Sequence, residues 1–154
     1  MLKKLGIVVC LGFVLVLIGC GRTETVTTCT VNQAFFGAEP FPGYSSVRLE
    51  ARGNQVNVQT DTLNFEILPY LTFFNMTLGE VVEFWEVTAE FVPDGMSLEV
   101  SVTDTHIVIT TVSDYTAMSR ADLEAMLGQG ARAVSLEMTV DNIENLQGGV
   151  CVVE

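Results

Sequence analysis

Apolar and polar residues alternate along several short segments of the chain, which is the pattern of half-buried β-strands. From Leu98 to Val102 every second residue is apolar, which predicts a strand over residues 97–103. A second strand is predicted over residues 106–112, with the turn at Asp104-Thr105 joining the two into a hairpin.

Four further segments have the β-branched and alternating composition of strands. Residues 46–51 and 55–64 are separated by Gly53-Asn54, a pair that favours a tight hairpin turn. Residues 25–31 predict a first strand, and residues 149–153 predict a last strand at the end of the chain.

Helical signals lie between these strands. Thr77 and Glu80 form a capping-box pattern before an apolar-periodic run, and a second helix is predicted from Ser119 to Gly128. Residues 138–147 predict a third helix. Strands with segregated helices predict an α+β domain, an antiparallel sheet with two or three helices packed on one face.

The first 19 residues have the pattern of a secretory signal. Lys3 and Lys4 precede an uncharged apolar stretch, residues 5–18, which ends in the small residue Gly19. A membrane-spanning helix is the alternative, but it needs about 20 apolar residues, and this stretch is shorter.

Cys20 follows directly, and the sequence LIGC at residues 17–20 resembles the bacterial lipobox. In that motif the cysteine receives a diacylglyceryl group and becomes the first residue of the mature chain. Two or more acyl chains anchor a protein stably. We therefore expect a membrane partner held through a covalent lipid on Cys20, with the protein at the cell membrane or envelope, facing outward.

The charge of the chain limits its other partners. Of seven lysines and arginines, Lys3 and Lys4 leave with the signal, so five arginines face 19 acidic residues and the mature net charge is −14. Nucleic-acid partners need a basic footprint, and we exclude them. The acidity either recruits cations or a basic partner, or keeps an exported protein soluble; the spread of the acids along the chain favours the second interpretation.

The remaining cysteines suggest a covalent link between the two ends of the domain. We divide the mature chain into a tether, residues 20–28, and one α+β domain, residues 29–154. Cys10 leaves with the signal and Cys20 is occupied by lipid, so Cys29 and Cys151 form the pair left over. In an exported protein such a pair predicts a disulfide rather than a metal or redox site.

Several of these segments together resemble the YehR-like family of small bacterial lipoproteins. The resemblance covers about residues 47–154 and is carried by residues 52–56 at the first turn, 112–115 before the second helix, 121–123 within it, and 134–146 near the end. It implies a lipid anchor and an α+β fold, and the family has no assigned biochemical activity. The lack of lysine in the mature chain and the pair Cys29 and Cys151 depart from the family pattern.

No residue pattern indicates catalysis. His106 lies near Asp104, but no nucleophile motif accompanies them, so we expect an exposed histidine at a strand edge. Asp114 and Tyr115 are explained by a turn and by packing. We expect no cofactor, no metal and no enzymatic activity. One acidic row remains, which consists of Glu80, Glu83, Glu86 and Glu90. A single row of this kind favours a solvated helix face over a cation site.

Two loop-like segments, residues 35–44 and 69–76, are rich in aromatic rings. Such rings form either a binding surface or the edge of a small core. The candidate surface residues are Phe35, Phe36, Phe41, Tyr44, Tyr70, Phe73 and Phe74.

The sequence therefore predicts a membrane-anchored surface lipoprotein that binds an unknown protein or envelope component. The alternative is a receptor for a small ligand or cation, with a pocket between sheet and helices. An exposed, continuous patch of rings favours the first, and a pocket with converging polar groups favours the second.

The lipid anchor is tested by replacing its thiol. We expect Cys20→Ala to leave the precursor uncut and unlabelled by radioactive palmitate, because only a cysteine thiol accepts the lipid. Cys10→Ala is the matched control and should be labelled normally. Normal labelling of Cys20→Ala would rule out the lipobox.

Overall fold

The computed structural model describes residues 23–36 and 39–154. Within these ranges the chain forms nine strands and four helices. In chain order they are β1 (Glu24–Val31), β2 (Ala34–Phe36), β3 (Glu39–Phe41), β4 (Gly43–Arg52), β5 (Gln55–Glu66), α1 (Ile67–Phe74), α2 (Leu78–Ala89), β6 (Met96–Val102), β7 (His106–Asp114), α3 (Arg120–Leu127), β8 (Val134–Ser135), α4 (Leu136–Leu146) and β9 (Val150–Val153).

Seven of the strands form one antiparallel sheet. Its order is β6-β7-β5-β4-β1-β9, and the short β8 pairs with one end of β5. Strands β2 and β3 pair separately as a small hairpin. The predicted α+β class is confirmed, since helices pack on this sheet.

Helices α1, α2 and α4 cover the same side of the sheet, which we call the helix-facing side. Side chains alternate between the two sides of a strand, so Leu63 and Phe65 of β5 point the same way and pack with α1 and α2. Toward the β9 edge of the sheet, Ile143 of α4 packs on Cys29 and Val31 of β1. The core is therefore divided between two helical layers that lie side by side on this side of the sheet, one formed by α1 and α2 and the other by α4.

Both predicted hairpins are present, and three of their four strands are longer than the patterns indicated. Gly53 in the first turn has a φ of 65°, a left-handed conformation that glycine adopts without steric strain. The turn also holds the start of α4, because Asn54 Oδ1 accepts a hydrogen bond from the backbone N–H of Glu137 at 2.9 Å. A local turn and a distant helix are thus connected.

The three predicted helices are present, and helix α1 is one that the sequence analysis treated as an aromatic loop. Pro69 does not prevent it, because it lies in the first helical turn, where its missing N–H has no helical partner. Tyr70, Phe73 and Phe74 follow at helical spacing, and Asn75 ends the helix with a φ of 52°. The loop prediction for residues 69–76 is wrong for this reason.

The predicted tether is shorter than expected. Strand β1 begins at Glu24, so residues 24–28 belong to the sheet and not to a flexible segment. Cys20 and the predicted signal, residues 1–19, lie outside the described residues. Among the helices that the structure describes, none has the length and hydrophobicity needed to span a membrane.

The predicted disulfide is confirmed. Cys29 of β1 is directly opposite Cys151 of β9 in the strand register, and the two are bonded with their Cα atoms 4.0 Å apart. The bond joins residues 122 positions apart in sequence. It therefore fixes the last strand to the first one.

We expect reduction of this bond to lower the melting temperature by roughly 10 °C or more, because the chain-entropy model gives up to about 4–5 kcal/mol for so long a loop. The variant carrying both Cys29→Ala and Cys151→Ala should melt at the lower temperature and not respond to reductant. Mass spectrometry after alkylation of the mature protein provides the chemical check. Two alkylated thiols before reduction would contradict the bond.

Candidate functional site

Aromatic side chains form a connected cluster at the end of the sheet where β5 passes into α1. Phe41, Phe65 and Tyr70 are buried at its centre, and the ring centroids of Phe65 and Tyr70 are 5.3 Å apart. Burial raises the pKa of the Tyr70 hydroxyl. These rings are part of the hydrophobic core.

The seven rings named from the sequence therefore do not form one surface. Phe41 and Tyr70 are buried and are not accessible to a partner, and Phe36 is half-buried. Tyr44 is exposed, and its hydroxyl accepts a hydrogen bond from Asn64 on the side of the sheet opposite the helices. Burial depends on strand register, which ring content does not reveal.

A smaller exposed surface remains, which we call the aromatic surface and define as Phe73, Phe74 and Phe84. Their side chains are 55%, 37% and 45% exposed, respectively. Phe73 contacts Phe74 at 4.9 Å between ring centroids. Half-buried Phe36 connects Phe74 to Trp85, at 5.7 and 5.8 Å, and Trp85 contacts Phe84. The exposed rings thus rest on a continuous aromatic support.

The aromatic surface lies far from the start of the domain. Glu24, the first residue of β1, pairs with Arg52, whereas Val31 at the other end of β1 pairs with Ser45. Helix α1 follows β5 at this second end of the sheet. An eight-residue strand is roughly 25 Å long, so α1 begins at the end of the sheet about that far from Glu24.

A second feature is a cavity of about 550 Å³ between the sheet and α4. Ligand pockets commonly have volumes of about 300–1,000 Å³. Apolar side chains from β2, β4, β5 and α4 line much of it, namely Phe35, Val47, Leu63, Ile143 and Leu146. It opens to solvent between the two helical layers.

Polar side chains from β5 form the floor of this cavity. Gln59 and Asp61 alternate with Leu63 on the helix-facing side, where apolar residues are expected. Gln59 Nε2 donates to both carboxylate oxygens of Asp61 at 2.9 Å. The Tyr115 hydroxyl donates to Gln59 Oε1 at 2.9 Å, so the three side chains form one hydrogen-bonded row.

This environment shifts two acidic groups. Burial raises the pKa of Asp61 above its ordinary value, and the hydrogen bond from Gln59 partly opposes this. Burial and then the nearby negative charge of Asp61 raise the pKa of Tyr115 to about 12. Burial is the largest cause of both shifts.

Other sequence candidates have structural explanations. His106 is exposed at the start of β7, with its Nδ1 3.0 Å from the Thr105 hydroxyl. Asp114 Oδ1 accepts hydrogen bonds from the N–H and hydroxyl of Thr116, which confirms its turn role and lowers its pKa. The acidic row of α2 is exposed as predicted.

Gln59 and Asp61 were not predicted as site residues. A signal was present, because both occupy the same alternating positions as Leu63 and Phe65, so the alternation places a charged residue on the covered side of the strand. The signal was weak because the other side of β5 is also polar or half-buried. Pairing with β7 and coverage by α4 decide the location of these residues.

The fold is similar to that in the NMR structure of the E. coli YehR protein. The TM-score is 0.54 at 11% sequence identity, and the match covers 86% of this chain and 94% of that chain. At this identity the similarity shows the fold alone. No protein-family model matches the sequence, and the comparison with curated proteins finds no match.

The half-buried carboxyl of Asp61 leads to a stability prediction. A raised folded-state pKa means that the unfolded chain loses its proton first, so the free energy of unfolding falls as pH rises from about 4 through the raised pKa. We expect Asp61→Asn to be more stable than the unchanged protein at pH 7, on the order of 1 kcal/mol, with the advantage disappearing below about pH 4.

Urea unfolding at several pH values measures this difference. Asp104→Asn, which changes an exposed aspartate, is the control and should show no such pH-dependent advantage. An Asp61→Asn advantage that stays constant between about pH 4 and pH 7 would contradict the assignment.

Proposed function

We propose that this chain is a lipid-anchored protein of the bacterial envelope that binds a partner protein through its aromatic surface and does not act as an enzyme. The observation that carries the proposal is the exposure of Phe73, Phe74 and Phe84 on a shared aromatic support. Exposed apolar patches of this kind mark interaction sites.

The anchor in this proposal rests on the sequence at residues 17–20. A lipid on Cys20 precedes β1 by only three residues, since β1 begins at Glu24. A short connection of this kind would hold the Glu24 end of the sheet close to the membrane. The aromatic surface, at the opposite end, would then face away from it.

This geometry favours a protein over a lipid bilayer as the occupant of the aromatic surface. Acidic residues accompany the rings on α2, where Glu80 and Glu83 are exposed near Phe84. Anionic lipid headgroups would repel them. The matching partner is a protein with an apolar pocket bordered by basic side chains, in which aromatic residues act as anchors.

Photo-crosslinking in membranes tests this proposal. A photoreactive amino acid is placed at Phe73 in the full-length, lipidated chain, and adducts are identified by mass spectrometry. We expect a defined protein adduct that is reduced at least about tenfold by Phe84→Ser, because an exposed ring at an interface contributes roughly 1–2 kcal/mol or more.

The matched control removes an apolar residue from another surface. Val152 on β9 is 61% exposed on the side of the sheet away from the helices, so Val152→Ser should leave the adduct unchanged. Adducts that form equally from a probe at Val152, or only with lipid, would contradict the proposal. Circular dichroism checks that both serine variants are folded.

A further inference from the structure

The cavity under α4 is separate from the aromatic surface and has a chemistry of its own. Its lining mixes apolar side chains with polar ones, and Asp61 on its floor is the single acidic side chain among them. The aromatic surface contributes none of its three rings to this cavity. An inference about the cavity therefore stands or fails independently of the partner protein.

Asp61 has no cation beside it among the described residues. The arginines there are Arg48, Arg52, Arg120 and Arg132, and none lines the cavity. Arg48 pairs with Glu50 and Arg120 pairs with Glu124. A carboxylate in such a place is normally paired or neutralised.

Asp61 has hydrogen-bonding capacity that its neighbours do not use. Gln59 is fixed from both ends, since Tyr115 donates to its carbonyl oxygen and its amide donates to Asp61. One amide nitrogen serves both carboxylate oxygens, whereas an ionised carboxylate has about four acceptor sites. Further donors are needed to satisfy it.

We propose that this cavity binds a small organic amine, with the ammonium group on Asp61 and the apolar body against Leu63, Ile143 and Leu146. An ammonium group supplies both the missing charge and up to three donors. The apolar walls bury the hydrocarbon part of the ligand. The cavity has ample room for an amine with a short ring or chain.

A bare metal ion fits these residues poorly. Calcium takes six to eight oxygen ligands, while Asp61 is the single carboxylate lining the cavity. No group of three or more metal-binding side chains occurs among the described residues. A metal ion would also leave the apolar walls without a contact.

Cyclohexylamine and cyclohexanol provide a matched pair of probes, because they differ mainly in the charged group. The full-length mature protein is placed in nanodiscs, and empty nanodiscs supply the reference titration. We expect calorimetry to show that the amine binds at least about tenfold more tightly than the alcohol, as a charge-assisted hydrogen bond requires.

The variant Asp61→Asn should weaken amine binding at least about tenfold and leave alcohol binding unchanged. Asp104→Asn is the surface control and should bind like the unchanged protein. In methyl NMR spectra of the unchanged protein, the amine should shift Ile143 and Val47 but not Val152. These shifts test the location even if Asp61→Asn fails to fold.

Three outcomes would overturn the proposal. They are equal affinity for the amine and the alcohol, amine binding that Asp61→Asn does not change, and NMR shifts located away from Ile143. The photo-crosslinking result with Phe84→Ser does not bear on any of these outcomes. The two binding proposals are therefore tested separately.

Discussion

The pairing of β1 with β9 through the Cys29–Cys151 bond is the constraint on which the rest of the structure depends most. Helix α4 is followed almost directly by β9, so fixing β9 beside β1 also fixes α4 over the sheet. Ile143 then packs on Cys29 and Val31. Helix α4 forms one wall of the cavity. A bond near the ends of the chain therefore supports a candidate site on β5, away from those ends.

The two helical layers cover different parts of the sheet. Helices α1 and α2 enclose a core rich in rings, with Phe65 and Ile107 fully covered, while α4 covers a smaller aliphatic area. The polar row of Gln59, Asp61 and Tyr115 lies where neither layer covers the sheet completely. Burying an unpaired carboxyl lowers stability. Such a cost is typical of functional sites, where stability is given up for binding.

Much of the fold was predictable, because its signals are local. Alternation located both hairpins, the capping box located the start of α2, and the pair of cysteines left over from the expected signal and lipidation site indicated the disulfide. Helix α1 was not predicted, since ring content and Pro69 suggested a loop. For the candidate site, Tyr115 was named only for packing, and Asp61 was not named at all.

The sequence by itself determined the two main hairpins, three of the four described helices and the covalent link, since hydrogen-bond capping, side-chain alternation and cysteine count act over a few residues or through composition. Only the tertiary structure decided which rings are buried and which polar groups meet. Phe41 became core and Phe73 remained exposed because strand register and helix placement, set by contacts distant in sequence, determine which side chains are covered. The same long-range pairing placed Asp61 under α4, where a carboxyl acquires its unusual environment.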